Sequence, residues 1–295
     1  MQSLSKPPWI KTRIPSGPEY MRVMTILRRN MLHTVCEEAL CPNISECWGS
    51  GTATFMLLGD VCTRGCRFCA VKTGHPGGFV ENGEPELVSR AVSEMGLKYV
   101  VLTSVCRDDL PDGGASQFAE AVRAIKRSSP EVMVETLIPD FNGSYKAIKL
   151  VVDSGPDVIA HNVETVPRLT PLVRDRRASF QQSIEVLRTV KRLDAGIYTK
   201  SSIMLGLGEE YDEVIRTLRT LRQAGVDIVT LGQYLRPTTR HIPVHEYVHP
   251  EVFERLRREA LAMGFLYVAS GPLVRSSYRA AEHFLHATRM AQLKD

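Results

Sequence analysis

From Thr52 onward the chain alternates short β-rich runs with amphipathic helical stretches, and no other feature of the sequence limits its fold so strongly. Period-two or continuously apolar runs predict strands over 53–58, 99–104, 132–138, 157–161, 197–205, 226–232 and 266–269. Between them, helices are predicted near 85–95, 115–127, 143–153, 180–192, 209–223 and 250–263. A strand that returns in the same direction needs a crossover of a dozen or more residues, so strand-helix-strand repeated this regularly specifies a parallel sheet. These strands are too few for a closed eight-stranded barrel. The expected class is therefore α/β: an incomplete parallel (β/α) barrel with N-terminal and C-terminal extensions. An open doubly wound sheet is the alternative.

Three segments are expected. Residues 1–51 form an N-terminal extension, with Pro7, Pro8, Pro15 and Pro18 leading into a polar helical stretch at 19–31 and then three cysteines. Residues 52–270 form the barrel. Residues 271–295 form a tail, entered at Gly271 and Pro272, with a last helix over 279–291 packed near the site. In parallel β/α architectures the C-terminal strand ends face the ligand, so polar residues there should converge on one place.

Six of the seven cysteines fall within residues 36–69 as two triplets, Cys36, Cys41, Cys47 and Cys62, Cys66, Cys69. No apolar stretch is long enough for a secretion signal or a membrane span, so a cytosolic setting and reduced thiols are expected, with the cysteines as metal ligands or catalysts. Zinc sites take four ligands, whereas three cysteines leave one iron of a cubane cluster without a protein thiolate. Each triplet would therefore hold a 4Fe-4S cluster. The excess of 37 Lys+Arg over 33 Asp+Glu is too small and dispersed for nucleic-acid binding but suits an acidic protein partner.

The second triplet, Cys62-Thr-Arg-Gly-Cys66-Arg-Phe-Cys69, follows the first predicted strand and resembles the signature of the radical S-adenosylmethionine superfamily. The first triplet reads Cys36-Glu-Glu-Ala-Leu-Cys41-Pro-Asn-Ile-Ser-Glu-Cys47-Trp48. With Arg107-Asp-Asp-Leu-Pro-Asp-Gly-Gly114 and Arg275-Ser-Ser-Tyr278, it narrows the resemblance to the lipoyl synthase family. That resemblance implies radical-mediated insertion of two sulfur atoms, at C6 and C8 of a protein-bound octanoyl chain. Cys62, Cys66 and Cys69 would hold the cluster that cleaves S-adenosylmethionine to a 5'-deoxyadenosyl radical. Cys36, Cys41 and Cys47 would hold an auxiliary cluster that gives up sulfide, completed by a serine of the C-terminal motif, Ser277 as first choice and Ser276 as the alternative. The implied partners are octanoylated lipoyl carrier domains of 2-oxoacid dehydrogenase complexes or the glycine cleavage H protein. An electron donor such as flavodoxin or ferredoxin and an iron-sulfur carrier for cluster repair are implied as well. Nucleic acid and membrane are not expected.

The chemistry supports this independently of the family. An aliphatic C–H carries no acidic proton, so side-chain acids and bases cannot activate it and a cofactor must supply the reactive species.

The remaining strand-end motifs read as contacts to the cofactor, each beside a plainer reading. Asp112, Gly113 and Gly114 would let backbone approach the methionine amine, or form a common turn. Asn162 and Glu164 would bind ribose hydroxyls, or Glu164 would start a helix. Lys200 and Ser202 alternate on one strand face, toward the methionine carboxylate, unless the lysine is merely exposed. Gly206-Leu-Gly208-Glu209 would pass close to the adenine. Cys106 stands alone as a small apolar residue. Arg174 to Arg177 form a solvated charged loop, or face an acidic carrier. The rival classes are an electron-transfer or iron-sulfur storage protein, another radical sulfur-inserting or methylthiolating enzyme, and a zinc-stabilised interaction module.

Overall fold

The computed structural model describes residues 5–11, 14, 16–49, 53–278 and 280. The expected last helix over 279–291 lies outside the described residues. Helix α1 (Pro18–Arg29) leads to strand β1 (His33–Thr34), then to two short helices that carry the first triplet, α2 (Val35–Glu38) and α3 (Ile44–Gly49). The repeating body runs β2 (Thr54–Leu57), a small pair β3 (Val61–Cys62) and β4 (Lys72–Thr73), α4 (Glu84–Met95), β5 (Tyr99–Ser104), α5 (Ala115–Ser128) and β6 (Met133–Leu137). It continues with α6 (Tyr145–Val152), β7 (Val158–Ala160), α7 (Thr170–Val173), α8 (Phe180–Leu193) and β8 (Tyr198–Leu205). The series ends with α9 (Tyr211–Gln223), β9 (Ile228–Gln233), α10 (Pro250–Ala262) and β10 (Tyr267–Gly271).

The main sheet has the order β1-β2-β5-β6-β7-β8-β9-β10. Every neighbouring pair from β2 to β10 is parallel, and only β1 lies antiparallel, on β2. Among the described residues strand β10 pairs with β9 alone, so the barrel stays open between its first and last strands. All seven predicted strands are present. The expected incomplete barrel is the observed architecture, and the doubly wound alternative, whose strand order would reverse direction midway, is not.

Local chemistry sets the helix ends. Ser179 and Ser144 accept the amide hydrogens of Gln182 (3.1 Å) and Ala147 (3.3 Å), the usual first-turn cap for α8 and α6. Glu210 and Glu213 form a reciprocal capping box on α9. Helix α4 stops at Gly96, whose φ of 65° lies in the left-handed region that ends helices. Strands β2 and β9 are buried along their whole length, as expected of strands covered on both faces.

Two apolar clusters fill the molecule. One joins the N-terminal extension (Val23, Leu27, Trp48) to the first half of the barrel (Phe55, Val100, Phe118, Val134). The other packs α9 and α10 under β8, β9 and β10 through Ile203, Leu218, Leu231 and Phe253. Strand β1 extends the barrel sheet with a piece of the N-terminal extension, a link too short to be read from the sequence.

A candidate iron-sulfur and cofactor site

A cavity of about 490 Å³ opens at the C-terminal ends of the strands, and all six clustered cysteines line it. The topology puts them there. The second triplet occupies the loop after β2, and the first lies on α2, α3 and the turn between them, which β1 ties to the edge of the same strand. The tail closes the remaining side: Asn43 Nδ2 donates to Leu273 O (2.7 Å), Tyr278 hydroxyl to Glu46 (2.7 Å), and Gln233 N to Pro272 O (3.3 Å). Ser276, Ser277 and Arg275 thereby line the cavity beside the first triplet. This docking requires a glycine at the end of β9, because a Cβ on Gly232 would stand 2.0 Å from Val274 O. Gly232→Ala is accordingly expected to cost about 1–3 kcal/mol through overpacking and to release the tail. A lowered urea midpoint together with faster proteolysis beyond residue 272 would report this.

The second-triplet loop is fixed by a buried ionic network. Arg64, between Cys62 and Cys66, donates to Asp140 through Nη1 and Nη2 (2.7 and 2.8 Å) and to Asp108 through Nη2 and Nε (2.7 and 2.9 Å). Thr63 hydroxyl donates to Asp108 (2.7 Å), and Gly65 N to Asp175 (2.9 Å). Burial pushes the Asp108 carboxyl up, but the hydrogen bonds from Arg64 and Thr63 outweigh it and leave its pKa at about 2. Because the folded pKa lies below the ordinary 3.8, the support that Asp108 gives is full above about pH 4. It is lost as the pH falls through 2. Acid should therefore loosen the 62–69 loop within that window, seen as shifts of the Arg64 and Gly65 amide resonances; constancy of both down to pH 2 would contradict the network's role.

The sulfurs meet amide hydrogens almost everywhere. Arg64 N points at Cys62 Sγ (3.4 Å) and Asp175 N at Cys66 Sγ (3.3 Å). The amides of Thr54, Asn43 and Val71 face Cys36, Cys41 and Cys69. Burial pushes the thiols of Cys36, Cys47 and Cys69 up to about 11, 12 and 12. Cys106 also lines the cavity, and its thiol, hydrogen-bonded to Cys62, draws the Cys62 pKa down while its own rises. Among the described residues no three His, Cys, Asp or Glu side chains gather closely enough to hold a single metal ion. Sulfurs spread around a cavity and met by amide N–H groups fit a larger iron-sulfur group better than one zinc ion.

Beyond the cysteines, Asn162, Glu164 and Ser202 reach the cavity as expected. Glu164 sits at φ 67°, a strained conformation for a side-chain-bearing residue, held by Glu164 N to Ser202 O (3.1 Å) and Met204 N to Glu164 O (2.8 Å). Its carboxyl is pushed up by burial. Asn162 Oδ1 is buried and, among the described residues, accepts no hydrogen bond, which leaves a directed acceptor at the cavity wall.

Two of the expected groups lie outside the cavity lining. Lys200 does share the barrel-facing side of β8 with Ser202, but it lies a layer deeper, fully buried, with Nζ 2.9 Å from both Glu135 oxygens, and Tyr99 hydroxyl caps the same carboxylate (2.7 Å). It does not line the cavity, and removing either member of this buried pair would leave the other as an uncompensated buried charge. Asp112, Gly113 and Gly114 also stay outside the lining. Asp112 caps α5 by accepting from Gly114 N (2.9 Å) and Ser116 N (2.8 Å). Gly113 and Gly114, at φ 64° and 91°, make room for Phe141 and Leu58, where added Cβ atoms would lie 3.0 and 2.2 Å away. Gly206 likewise approaches Gln233 and Glu246 O, with no place in the lining.

Arg174, expected in a solvated charged loop or facing an acidic carrier, is instead buried and lines the cavity beside Glu164. Its Nη1 donates to Ser183 Oγ (2.8 Å), which also meets His161 Nε2 (2.9 Å). Burial pushes His161 down to about 4, so the ring is neutral. Ile138 O (2.9 Å) can only accept, hence the ring proton sits on Nδ1 and Nε2 accepts the serine hydroxyl. The only sequence signal for Arg174 was its position directly after the apolar pair Leu172-Val173.

A parallel barrel left open beside a three-cysteine loop at its ligand-binding end defines the radical SAM class, and the comparisons agree. The model of the Radical SAM superfamily matches residues 56–232, and the chain belongs to that superfamily. The model of the N-terminal domain of lipoyl synthase of the Radical_SAM family matches residues 1–41. The chain is 56% identical over 285 residues to the lipoyl synthase of Thermus thermophilus, covering 97% of this chain and 88% of that one. It is 58% identical over 278 residues to the lipoyl synthase of Pyrobaculum arsenaticum, covering 94% of each. It belongs to the lipoyl synthase family, and is a radical SAM sulfurtransferase. Among solved structures, methylornithine synthase (PylB) shares the fold, with a TM-score of 0.54 at 16% identity over 72% of this chain and 69% of that one. S-adenosylmethionine and iron-sulfur chemistry follow from the family.

Proposed function

We propose that this chain inserts two sulfur atoms, at C6 and C8, into an octanoyl chain carried on a lipoyl carrier domain, with two 4Fe-4S clusters in the one cavity. The observation that carries the reading is that both cysteine triplets and the Arg275 to Tyr278 segment line the same cavity. When bound, the clusters and S-adenosylmethionine supply the hydrogen-abstracting radical and the sulfide. The protein's own part is to hold and orient.

Cys62, Cys66 and Cys69 would hold one cluster, while Cys36, Cys41 and Cys47 with Ser277 or Ser276 would hold the other. Glu164 and the unsatisfied Asn162 Oδ1 would accept hydrogen bonds from ribose hydroxyls. In place of Lys200, Arg174 is the cation on the wall beside Glu164, and its planar fork would take the methionine carboxylate. The apolar wall, including Met56, Val71, Val105, Leu137 and Ile138, would bury the octanoyl methylenes, each contributing roughly 0.8 kcal/mol. That holds a featureless chain in register while excluding water.

The carrier would meet a basic rim. Three loops interlock through Arg67 N to Val173 O (2.9 Å), Ile242 N to Arg67 O (3.0 Å) and His241 Nε2 to Cys69 O (3.0 Å). They expose Arg67, Arg176 and Arg240, which make no ion pair among the described residues. The physiological electron donor, of the flavodoxin or ferredoxin kind, and a cluster-repair carrier complete the reading. The test is incubation of the reconstituted protein with S-adenosylmethionine, a reductant and an octanoylated carrier. A mass gain of two sulfurs on the carrier is expected; cofactor cleavage with an unchanged carrier mass would refute the assignment.

A further inference from the structure

Helix α7 ends at Arg174, whose extended backbone (φ −96°, ψ 167°) carries the chain along the second-triplet loop. Both neighbours of Arg174 are fastened to that loop: Val173 O accepts from Arg67 N (2.9 Å), and Asp175 N points at Cys66 Sγ (3.3 Å). The Arg174 side chain is therefore held at the cavity wall beside the second triplet, 9% exposed, and it forms no ion pair among the described residues. Its Nη1 is occupied, by Ser183 Oγ at 2.8 Å and more distantly by Val163 O at 3.5 Å. Its Nε and Nη2 meet no acceptor among the described residues. A buried guanidinium without an anion is costly, and the edge made by Nε and Nη2 matches the two oxygens of a carboxylate.

Two side chains that the reaction does not otherwise use decide which edge stays free. Ser183, on α8, has 0% of its surface exposed and no place in the cavity lining, and His161, directly after β7, is 3% exposed. In the neutral ring Nδ1 donates to Ile138 O (2.9 Å), so Nε2, 2.9 Å from Ser183 Oγ, takes the serine's hydrogen. The serine's lone pairs are left for Arg174. We propose that Ser183, oriented by His161, is a positioning residue that holds Arg174 by Nη1 and so aims its Nε and Nη2 edge at the carboxylate of S-adenosylmethionine. The inference rests on the reading of Arg174 as the group that takes this carboxylate. Ser183 acts through Arg174 alone.

The experiment uses the full chain, reconstituted anaerobically and left unreduced so that the cofactor is not cleaved, with iron content verified for each variant. Dissociation constants are measured by equilibrium dialysis for S-adenosylmethionine and for its decarboxylated analogue, which keeps the sulfonium, the adenosine and the amine. Ser183→Ala is expected to weaken S-adenosylmethionine about tenfold, the scale of one hydrogen bond to a charged group, and to leave the analogue within about twofold. Ser183→Cys, which keeps the size but offers a weaker acceptor, should fall on the same side. In an Arg174→Gln background Ser183→Ala should have no further effect, because the two residues act as one unit. A purely structural serine would weaken both ligands alike and would add to Arg174→Gln; either result, or an unchanged affinity in Ser183→Ala, would overturn the inference. Unchanged S-adenosylmethionine affinity in Arg174→Gln itself would instead overturn the reading of Arg174, and the inference with it.

Discussion

Replacing Cys62, Cys66 or Cys69 by Ala is expected to abolish formation of 5'-deoxyadenosine, by at least a hundredfold and so on the order of 2.7 kcal/mol or more of barrier. The reason lies in the geometry of the loop. Arg64, Thr63 and Gly65 are pinned by Asp108, Asp140 and Asp175, so the three sulfurs are presented by a rigid turn. A rigid loop cannot recruit a substitute ligand by rearrangement. Cys106, the one cysteine outside the two triplets, follows β5 on the strand-end side of the cavity and is not carried by this loop. Iron bound by the first triplet should survive each replacement. Normal cleavage by a variant of verified iron content would overturn the assignment of this triplet.

The second large effect concerns the tail. Ser277→Cys is expected to leave cluster loading and cofactor cleavage intact while suppressing formation of the doubly thiolated product. Soft thiolates suit iron, whereas a serine oxygen is a harder and, when protonated, a poor ligand, so an iron held by it would be the easiest to release. A fourth cysteine would lock that corner and impede the transfer of sulfide. The plainer account makes this serine a cap for the helix expected over 279–291, satisfying exposed amides. A cap replaced by Cys would lower stability modestly and leave insertion near normal once folding is corrected for. Both Ser276 and Ser277 line the cavity, so both Cys variants are needed. Normal product yields from the two together would eliminate the labile-ligand idea.

The strands and crossover helices were readable because each is a long periodic segment with its own stop signals, such as Gly96 after α4 or Ser179 before α8. The two-residue strands β1, β3 and β4 carry no periodicity at all and exist only because neighbouring backbone pairs with them. Side-chain depth was the second loss. Alternation correctly put Lys200 and Ser202 on one face, but it says nothing about which layer of a barrel is open, and Lys200 falls in the closed one with Glu135. The same blindness made Asp112, Gly113 and Gly114 look like a cofactor cradle, when their contacts are Ser116, Phe141 and Leu58. Arg64 was passed over, and Arg174 was read as part of a solvated or carrier-facing loop, for the opposite reason. Charged residues in loops usually face water, and only tertiary structure shows that these two are buried against carboxylates or the cavity wall.

The central claim is that sulfur held at the first triplet ends in the substrate, and isotope tracing addresses it most directly. The protein is reconstituted anaerobically with iron and heavy-isotope sulfide, freed of excess sulfide, and given S-adenosylmethionine, a reductant and an octanoylated carrier with only light sulfur in solution. The account predicts a carrier whose mass shows two heavy sulfur atoms, in an amount limited to one product per protein. Light sulfur in the product, or heavy label still incorporated after Cys36, Cys41 and Cys47 are all replaced by Ala, would contradict it.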